Sequence, residues 1–485
     1  MPGQVSEEAE RSVAQESGEP EPRRWSAGKG LVFGQLALVI LVALTGVALV
    51  LGFANKDRCT GPHFDQWGRS EPDYTQRARN EVCYSDIQYL WIGRDIDRHV
   101  FPYIHGSINA KGDLAGGTVE YPVLTGVLIW LGALFAHTDA GFLLGSAILM
   151  APFGLLTAWL LGKLARWRAL LWAIGPPLVL YAFHNWDLPV VLCAVAAVYV
   201  MHRGWGKVGA NRPLMERATL ASVLLGLGFT FKLYPAIFVL PLMLYVLTGG
   251  RAGTELPPGK RYDVKGMFRI AGVALGTAVL VNLPFALAGF EGWKASFTFQ
   301  GLRQADITTN SFWFWGFRPD SDPKNAEFQD MVSLWSPITV LASFALALYL
   351  GWRRYKRDGT YPWIAVSAAM LCGFLLFHKV HSPQYTLWLV PMLVLLRVHI
   401  GWSIAYYIAD IAMGIGIFRW YHAIDVGKAT TIYDGFTAQA VMIGVWGRAA
   451  LLVGLFFAFL NAKSTLDDPV PDTFLPGAPK PATLS

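Results

Sequence analysis

Charge is what this sequence has least of. Asp, Glu, Lys and Arg make up 15% of its 485 residues, against roughly 25% in an average soluble domain. A chain this poor in charge does not read as an ordinary soluble enzyme. Walker, dinucleotide-binding and HExxH motifs are also missing, which disfavours an ATP-driven pump and removes the sequence marks of nucleotide-cofactor enzymes and zinc proteases. The net charge of +6 does not point to nucleic acid, because the basic residues sit beside apolar runs, as the positive-inside rule expects.

Long apolar stretches fill the space that charge leaves. Leu31–Phe53, Gly141–Gly162, Ala271–Ala288 and Ala449–Leu460 are examples. About 20 apolar residues span a bilayer, and such runs suggest about 12 spans. The expected fold is therefore an all-α, polytopic membrane helical bundle covering 31–461. The segments 1–30 and 462–485 are rich in polar residues and Pro, and read as disordered tails. The first apolar run lies behind its tail and is as long as a full span, so it does not read as a cleaved signal peptide.

Basic clusters orient the chain. Lys163/Arg166/Arg168, Arg203–Arg217, Arg251–Arg269 and Arg353–Arg357 are assigned to the cytoplasm. The loops Ala54–Glu120, His184–Asp187, Gly289–Asp330, His378–Gln384 and Arg419–Phe436 then face outward. Both termini fall inside, which requires an even number of crossings. About thirteen apolar segments are present, so one of them between Pro122 and Phe183 is not a full crossing. Pro122–Ala136 and Leu170–Phe183 are both short. Of the four cysteines, Cys193 and Cys372 lie in apolar runs and read as core residues. Cys59 and Cys83 share the outward loop 54–120, where an oxidising compartment favours a disulfide worth about 3 kcal/mol.

Polar residues with chemical potential collect in the outward loops. Asp86 sits in a semi-apolar, aromatic stretch, where a carboxylate near low dielectric suits a general base; a cap or salt bridge is its plainer role. Asp95 and Asp97 beside Arg94 and Arg98 fit ion pairing better. Glu120 before Tyr121-Pro122 is either a helix cap or a substrate contact. Asp187 in His184-Asn-Trp-Asp187 marks either a turn or a cavity rim. Lys232, in Phe-Lys-Leu-Tyr-Pro, follows Arg217 too closely for a straight crossing. It therefore tips a helical hairpin reaching a sunken cavity, or lies mid-membrane, and a lipid phosphate is its obvious partner. Lys379, His381, Gln384 and Tyr385 open a later apolar segment as an anion-binding corner. His378 and His381 could also be metal ligands, but no matching carboxylate motif accompanies them, so no metal site is assigned. Arg303, Asp306 and several Trp enrich the loop Gly289–Asp330.

These motifs resemble a known family. Asp86-Ile-Gln-Tyr-Leu, Phe101-Pro-Tyr, Glu120-Tyr-Pro, Lys232-Leu-Tyr-Pro and His381-Ser-Pro-Gln-Tyr are similar to those of the actinobacterial integral-membrane mannosyltransferases of the glycosyltransferase-C superfamily (glycosyltransferase family 87). The likeness runs from about Tyr84 to Pro391, and the Lys-Leu-Tyr-Pro and Ser-Pro-Gln-Tyr elements are its more specific parts. It implies a bundle whose first outer loop carries the catalytic carboxylate, matched here by Asp86, with Asp95 and Asp97 as neighbours that could hold that role. It implies a polyprenyl-phosphate sugar donor, mannose or alternatively arabinose, and a lipid or glycan acceptor of the cell envelope. No cofactor is called for, and a divalent metal stays open. Lys232, Lys379 and His381 would hold the donor phosphate, and Glu120, Tyr121, Asp187, Gln384 and Tyr385 would contact substrates. The rival reading is a transporter or flippase of a lipid-linked sugar, for which Asp410, at the centre of an apolar run, would line a path. A non-catalytic envelope partner is a third reading, in which Asp86, Lys232 and His381 would not converge.

Overall fold

The computed structural model describes residues 34–203, 212–317, 325–428 and 435–467. The tail 1–30 and most of the tail 462–485 lie outside the described residues, as do parts of Arg203–Arg217, Gly289–Asp330 and Arg419–Phe436. The architecture is an all-α membrane bundle. Among the described residues the only strands are two tiny antiparallel hairpins, His63–Phe64 with Ser70–Glu71 and Ser107–Ile108 with Leu114–Ala115.

Helix α1 (Gln35–Asp57) delivers the chain to the long first loop, where α2 (Tyr74–Glu81) and α3 (Asp86–Gly93) are short. There the Cys59–Cys83 disulfide forms, with Cα atoms 6.2 Å apart. Helices α4 (Val123–Ala133) and α5 (Asp139–Ala165) follow, then the fragments α6 (Leu170–Ala173) and α7 (Pro176–Tyr181), then α8 (Leu188–Arg203). Helices α9 (Leu214–Phe231) and α10 (Ala236–Leu247) form a hairpin. Beyond it come α11 (Val264–Ala288), α12 (Phe290–Leu302), α13 (Phe312–Gly316) and α14 (Ala326–Asp358). The chain finishes with α15 (Trp363–Phe377), α16 (Thr386–Leu395), α17 (Ile400–Asp425) and α18 (Gly435–Asn461).

Eight described helical stretches are long and apolar enough to cross a membrane alone, and four more apolar helices are shorter, at 10–17 residues. The short segments between Pro122 and Phe183 behave differently from one another. Helix α4 starts and ends against the first loop: the Tyr103 hydroxyl donates to the carbonyls of Tyr121 and Pro122, and the Trp130 indole donates to the carbonyl of His99. It does not run end to end. Leu170–Phe183 does, in pieces, from Arg168 at one end to His184 at the other. A Gly-Pro-Pro step (Gly175–Pro177) breaks it, since proline cannot continue a helix from within.

Contacts sort the loops by end. At one end, Arg168 donates to the carbonyls of Leu393 and Leu396, Arg217 pairs with Glu255 at 2.6 Å, and Arg354 donates to the carbonyls of Leu460 and Ala462. These are basic clusters, and Arg168 satisfies carbonyls that the C-terminus of α16 leaves unpaired. The opposite end holds the first loop, His184–Asp187, Lys232 and the segment 378–385. Residues 462–467, expected in the polar tail, instead turn back on α16: Arg397 N–H donates to Lys463 O, and Leu396 bridges Ser464.

Helix length differs by position. Every residue of α16 is buried, and α15 is nearly as enclosed. Helices α11 and α14 instead turn large apolar residues such as Leu275, Leu280, Leu287, Leu334 and Leu341 outward, as lipid contact requires. At 1.5 Å per residue, the ten residues of α16 cover about 15 Å, half of a roughly 30 Å hydrocarbon layer. A helix that short, with its C-terminus at the basic end, leaves a recess beyond its N-terminus.

Candidate active site

The recess is a cavity of about 1250 Å³, lined from the first loop, the turn before α8, the α9–α10 tip, the loop before α13 and the start of α16. It is larger than a typical single-ligand pocket, so it has room for two substrates.

Its floor begins with Asp86 in the first turn of α3. Ser85 caps that helix, accepting from Ile87 N–H, and its hydroxyl donates to Phe183 O at 2.6 Å. Asp86 N–H donates to His184 O at 2.8 Å. The helix start is thus tied to the α7–α8 turn, and the carboxylate gains from the helix dipole. Asn185, in that turn, carries the central contacts. Its Nδ2 donates to Asp86 Oδ2 at 2.6 Å and to the Tyr121 hydroxyl at 2.7 Å. Its Oδ1 accepts from Lys232 Nζ at 2.8 Å. Lys232 caps the C-terminus of α9, so it is the tip of a hairpin whose two arms both lead back to the basic end. Its ammonium also lies 3.4 Å from Asp187 Oδ1 and 4.7 Å from the Tyr121 ring centre. Asp187 Oδ1 further accepts from the Trp388 indole at 2.8 Å.

Charges in this cluster are tuned by burial. Desolvation raises the Asp86 carboxyl above its ordinary range, opposed by hydrogen bonds from Asn185 and Tyr84 and by the charges of Lys232 and Arg303. Desolvation likewise raises Asp187, against Lys232 and the Trp388 indole. The two carboxylates differ in access. Asp86 lines the cavity and Asp187 does not; Asp187 is sealed between Lys232 and Trp388. A carboxylate held by Asn185 and Tyr84, facing the cavity and raised in basicity, suits a general base.

The walls have two characters. On one side Tyr84 stacks on Phe418 at 5.2 Å and meets Tyr89 at 5.5 Å, with Tyr421 beyond. On the other, Leu233, Ile237, Val340, Phe344 and Phe374 form a hydrocarbon surface. Between them, Tyr385 and Tyr234 stack on Trp388 at 3.9 and 4.4 Å. Gln384 lines the cavity, and its buried Oε1 has no hydrogen-bond partner among the described residues.

Each residue singled out in the sequence can now be placed. Asp86, Glu120, Tyr121, Lys232, Lys379, Gln384 and Tyr385 all line the cavity. Glu120 does so while paired to Arg94 at 2.9 Å. Asp187 and His381 are not among the lining residues. His381 is buried behind the wall, its Nδ1 2.8 Å from Leu375 O, and desolvation holds it well below the usual imidazole range; a neutral ring there cannot face a phosphate as a cation. Asp95 and Asp97 also lie off the cavity: Asp95 accepts from Gly116 N–H at 2.9 Å and pairs with Arg98 at 3.5 Å. Asp410 belongs to a separate cluster, 3.6 Å from Arg448 and accepting from the Thr386 hydroxyl at 2.5 Å. It does not line the cavity, so the path expected of a transporter finds no support there. Among the described residues no group of three or more His, Cys, Asp or Glu could hold a metal ion.

Sequence reading left out Asn185, Trp388 and Tyr84 as site residues. Only Asn185 had a usable signal, as an amide in the four-residue polar turn that also supplied Asp187.

Comparison with known proteins adds to this geometry. The family model described as Mannosyltransferase (PIG-M) matches residues 179–461, a range that holds Asn185, Asp187, Lys232, Gln384 and Trp388 and begins after Asp86. GPI mannosyltransferase 1 of Saccharomyces cerevisiae is 24% identical over 386 residues, covering 76% of this chain and 87% of the yeast protein. Among solved structures, apo ArnT from Cupriavidus metallidurans aligns with 88% of this chain and 77% of its own, at 14% identity and a TM-score of 0.41.

Proposed function

Because the chain belongs to the PIG-M mannosyltransferase family, as a membrane mannosyltransferase of the glycosyltransferase-C type, we propose that it transfers mannose from a polyprenyl-phosphate donor to a lipid or glycan acceptor of the cell envelope. Asp86 is the general base. It removes the proton from an acceptor hydroxyl as that oxygen attacks the anomeric carbon. The bond from that carbon to the phosphate oxygen breaks, the stereocentre inverts, and polyprenyl phosphate leaves as an anion. The carrying observation is the Asp86–Asn185–Lys232 chain, with contacts of 2.6 and 2.8 Å, opening on the cavity at Asp86. It orients the base and keeps a positive charge beside it.

The hydrocarbon wall suits a prenyl chain, and the aromatic wall suits the face of an acceptor sugar. Lys379 and Gln384 supply polar contacts beside the reacting centre. Positive charge at a developing anion is usually the largest catalytic contribution. Two features support an extracytoplasmic site. The basic loops gather at the end opposite the cavity, as the positive-inside rule expects of cytoplasmic loops. The disulfide Cys59–Cys83 lies at the cavity end, and disulfides persist in oxidising compartments.

The test is donor choice. Membranes containing the protein are given labelled polyprenyl-phosphomannose, polyprenyl-phosphoarabinose or a nucleotide-linked mannose. Transfer from the first alone is expected. Transfer from the nucleotide sugar, with none from the lipid donor, would refute the proposal.

A further inference from the structure

We infer that Arg303, rather than Lys232, receives the phosphate of the lipid-linked donor. The inference rests on the reading of the donor as a polyprenyl-phosphate sugar and assigns the group that recognises it.

Several of the cavity's cations are already spoken for. Lys232 is bound to Asn185, faces Asp187 and lies against the Tyr121 ring. Arg79 is paired with Asp425, and Arg94 with Glu120. Lys232 and Arg303 both act on Asp86 through space. Arg303 lines the cavity and makes no hydrogen bond or ion pair with any described residue. Its guanidinium carries five donors in a planar fork, a geometry that matches a phosphate's oxygens.

Arg303 is held in place by its neighbours, not by its own side chain. It follows the last residue of α12, and Gln329 grips the loop two residues on, accepting from Ala305 N–H at 3.1 Å and donating to Ala305 O at 3.0 Å. The Tyr421 hydroxyl donates to Ile307 O at 2.6 Å, and Asn310 N–H donates to His381 O at 3.0 Å. Helices α14 and α17 and the segment before α16 therefore all fix this loop over the cavity. Lys379 Nζ reaches Gly301 O at 3.3 Å, two residues before Arg303, which puts a second cation alongside. His381 thus contributes through its backbone carbonyl, by positioning the loop. A pinned loop offering an unpaired guanidinium next to a lysine is a preorganised anion site.

The experiment uses the full chain in nanodiscs of zwitterionic lipid and measures binding of polyprenyl monophosphate against unphosphorylated polyprenol. Wild type is expected to prefer the phosphate. Arg303→Gln should weaken polyprenyl-phosphate binding by about 10–100-fold and leave polyprenol binding unchanged. Arg303→Lys should recover part of the loss. An Arg303→Gln protein that keeps the full phosphate preference, or a loss seen in Lys232→Met but not in Arg303→Gln, would overturn the assignment and leave the donor reading intact. Equal binding of phosphate and alcohol by wild type would overturn the donor reading itself, and the assignment with it.

Discussion

Among the described residues, two of the buried charge clusters look alike until their surroundings are compared. Asp86–Asn185–Lys232–Asp187 joins the first loop, the α7–α8 turn and the α9–α10 tip. Asp410–Arg448 joins α17 to α18, with Thr386 of α16 against it. Each pairs carboxylate with cation inside a membrane protein, where an unpaired charge is costly. The first opens on the cavity through Asp86, Asn185 and Lys232; Asp410, Arg448 and Thr386 do not line it, and the second cluster reaches its wall only where Arg448 donates to Asn310 O at 3.4 Å. Buried charge alone therefore does not mark a site. A buried cluster becomes a candidate site where one of its members also faces space that a substrate can fill.

Breaking each cluster should give different phenotypes. Lys232→Met is expected to lower transfer by about 10²-fold, because Asn185 no longer holds Asp86 in place, and to lower stability as well, because Asp187 loses its cation. Adding Asp187→Leu should restore thermal stability in detergent but not transfer. In the sealed cluster, Arg448→Met should cost about 3–5 kcal/mol of stability, read as a lower unfolding temperature. The double variant Arg448→Met/Asp410→Leu should recover stability and keep transfer within about fivefold of wild type. Recovery of transfer in the first double variant, or its loss in the second, would erase the distinction between the clusters.

Smaller effects sharpen it further. Cys59→Ser removes the disulfide beside the cavity and should cost about 3 kcal/mol, with donor preference unchanged. The pH profile of kcat/KM gives the finest test. Burial raises the Asp86 carboxyl, and a base must be ionised, so the acid limb should lie above the range of an ordinary aspartate. The Asn185 hydrogen bond favours the ionised form, so Asn185→Leu should move that limb to still higher pH. Asp95→Asn, off the cavity, should leave it where it is.

Much of this was legible in the sequence because it follows from local spacing. Lys232 lies too few residues after Arg217 for a straight crossing, and a hairpin tip is what the fold contains. Pro122–Ala136 and Leu170–Phe183 are both short, so spacing marks one segment there as a partial crossing without saying which; the contacts of α4 with the first loop single out the former. Paired cysteines in one polar loop pointed to the disulfide. Contacts between distant residues were not legible. Asp86 and Asn185 are 99 positions apart, and no periodicity links them. Nor could spacing say that Lys379 faces the cavity while His381, two residues on, faces the bundle. The segment between them is not helical, so neither the period of a helix nor that of a strand assigns its sides. Asp187 stood close enough to the rim to be taken for a substrate contact; its pairing with Lys232 and Trp388 needed three separate elements to be placed in space.

The role of Asp86 is tested most directly by single-turnover transfer of mannose from labelled polyprenyl-phosphomannose by the purified Asp86→Asn protein. The carboxamide keeps the size of the side chain and removes the base. Transfer is expected to fall by about 10²–10⁴-fold while polyprenyl-phosphate binding persists. Transfer within a few-fold of wild type would contradict Asp86 as the base and, with it, the reading of the cavity built around it.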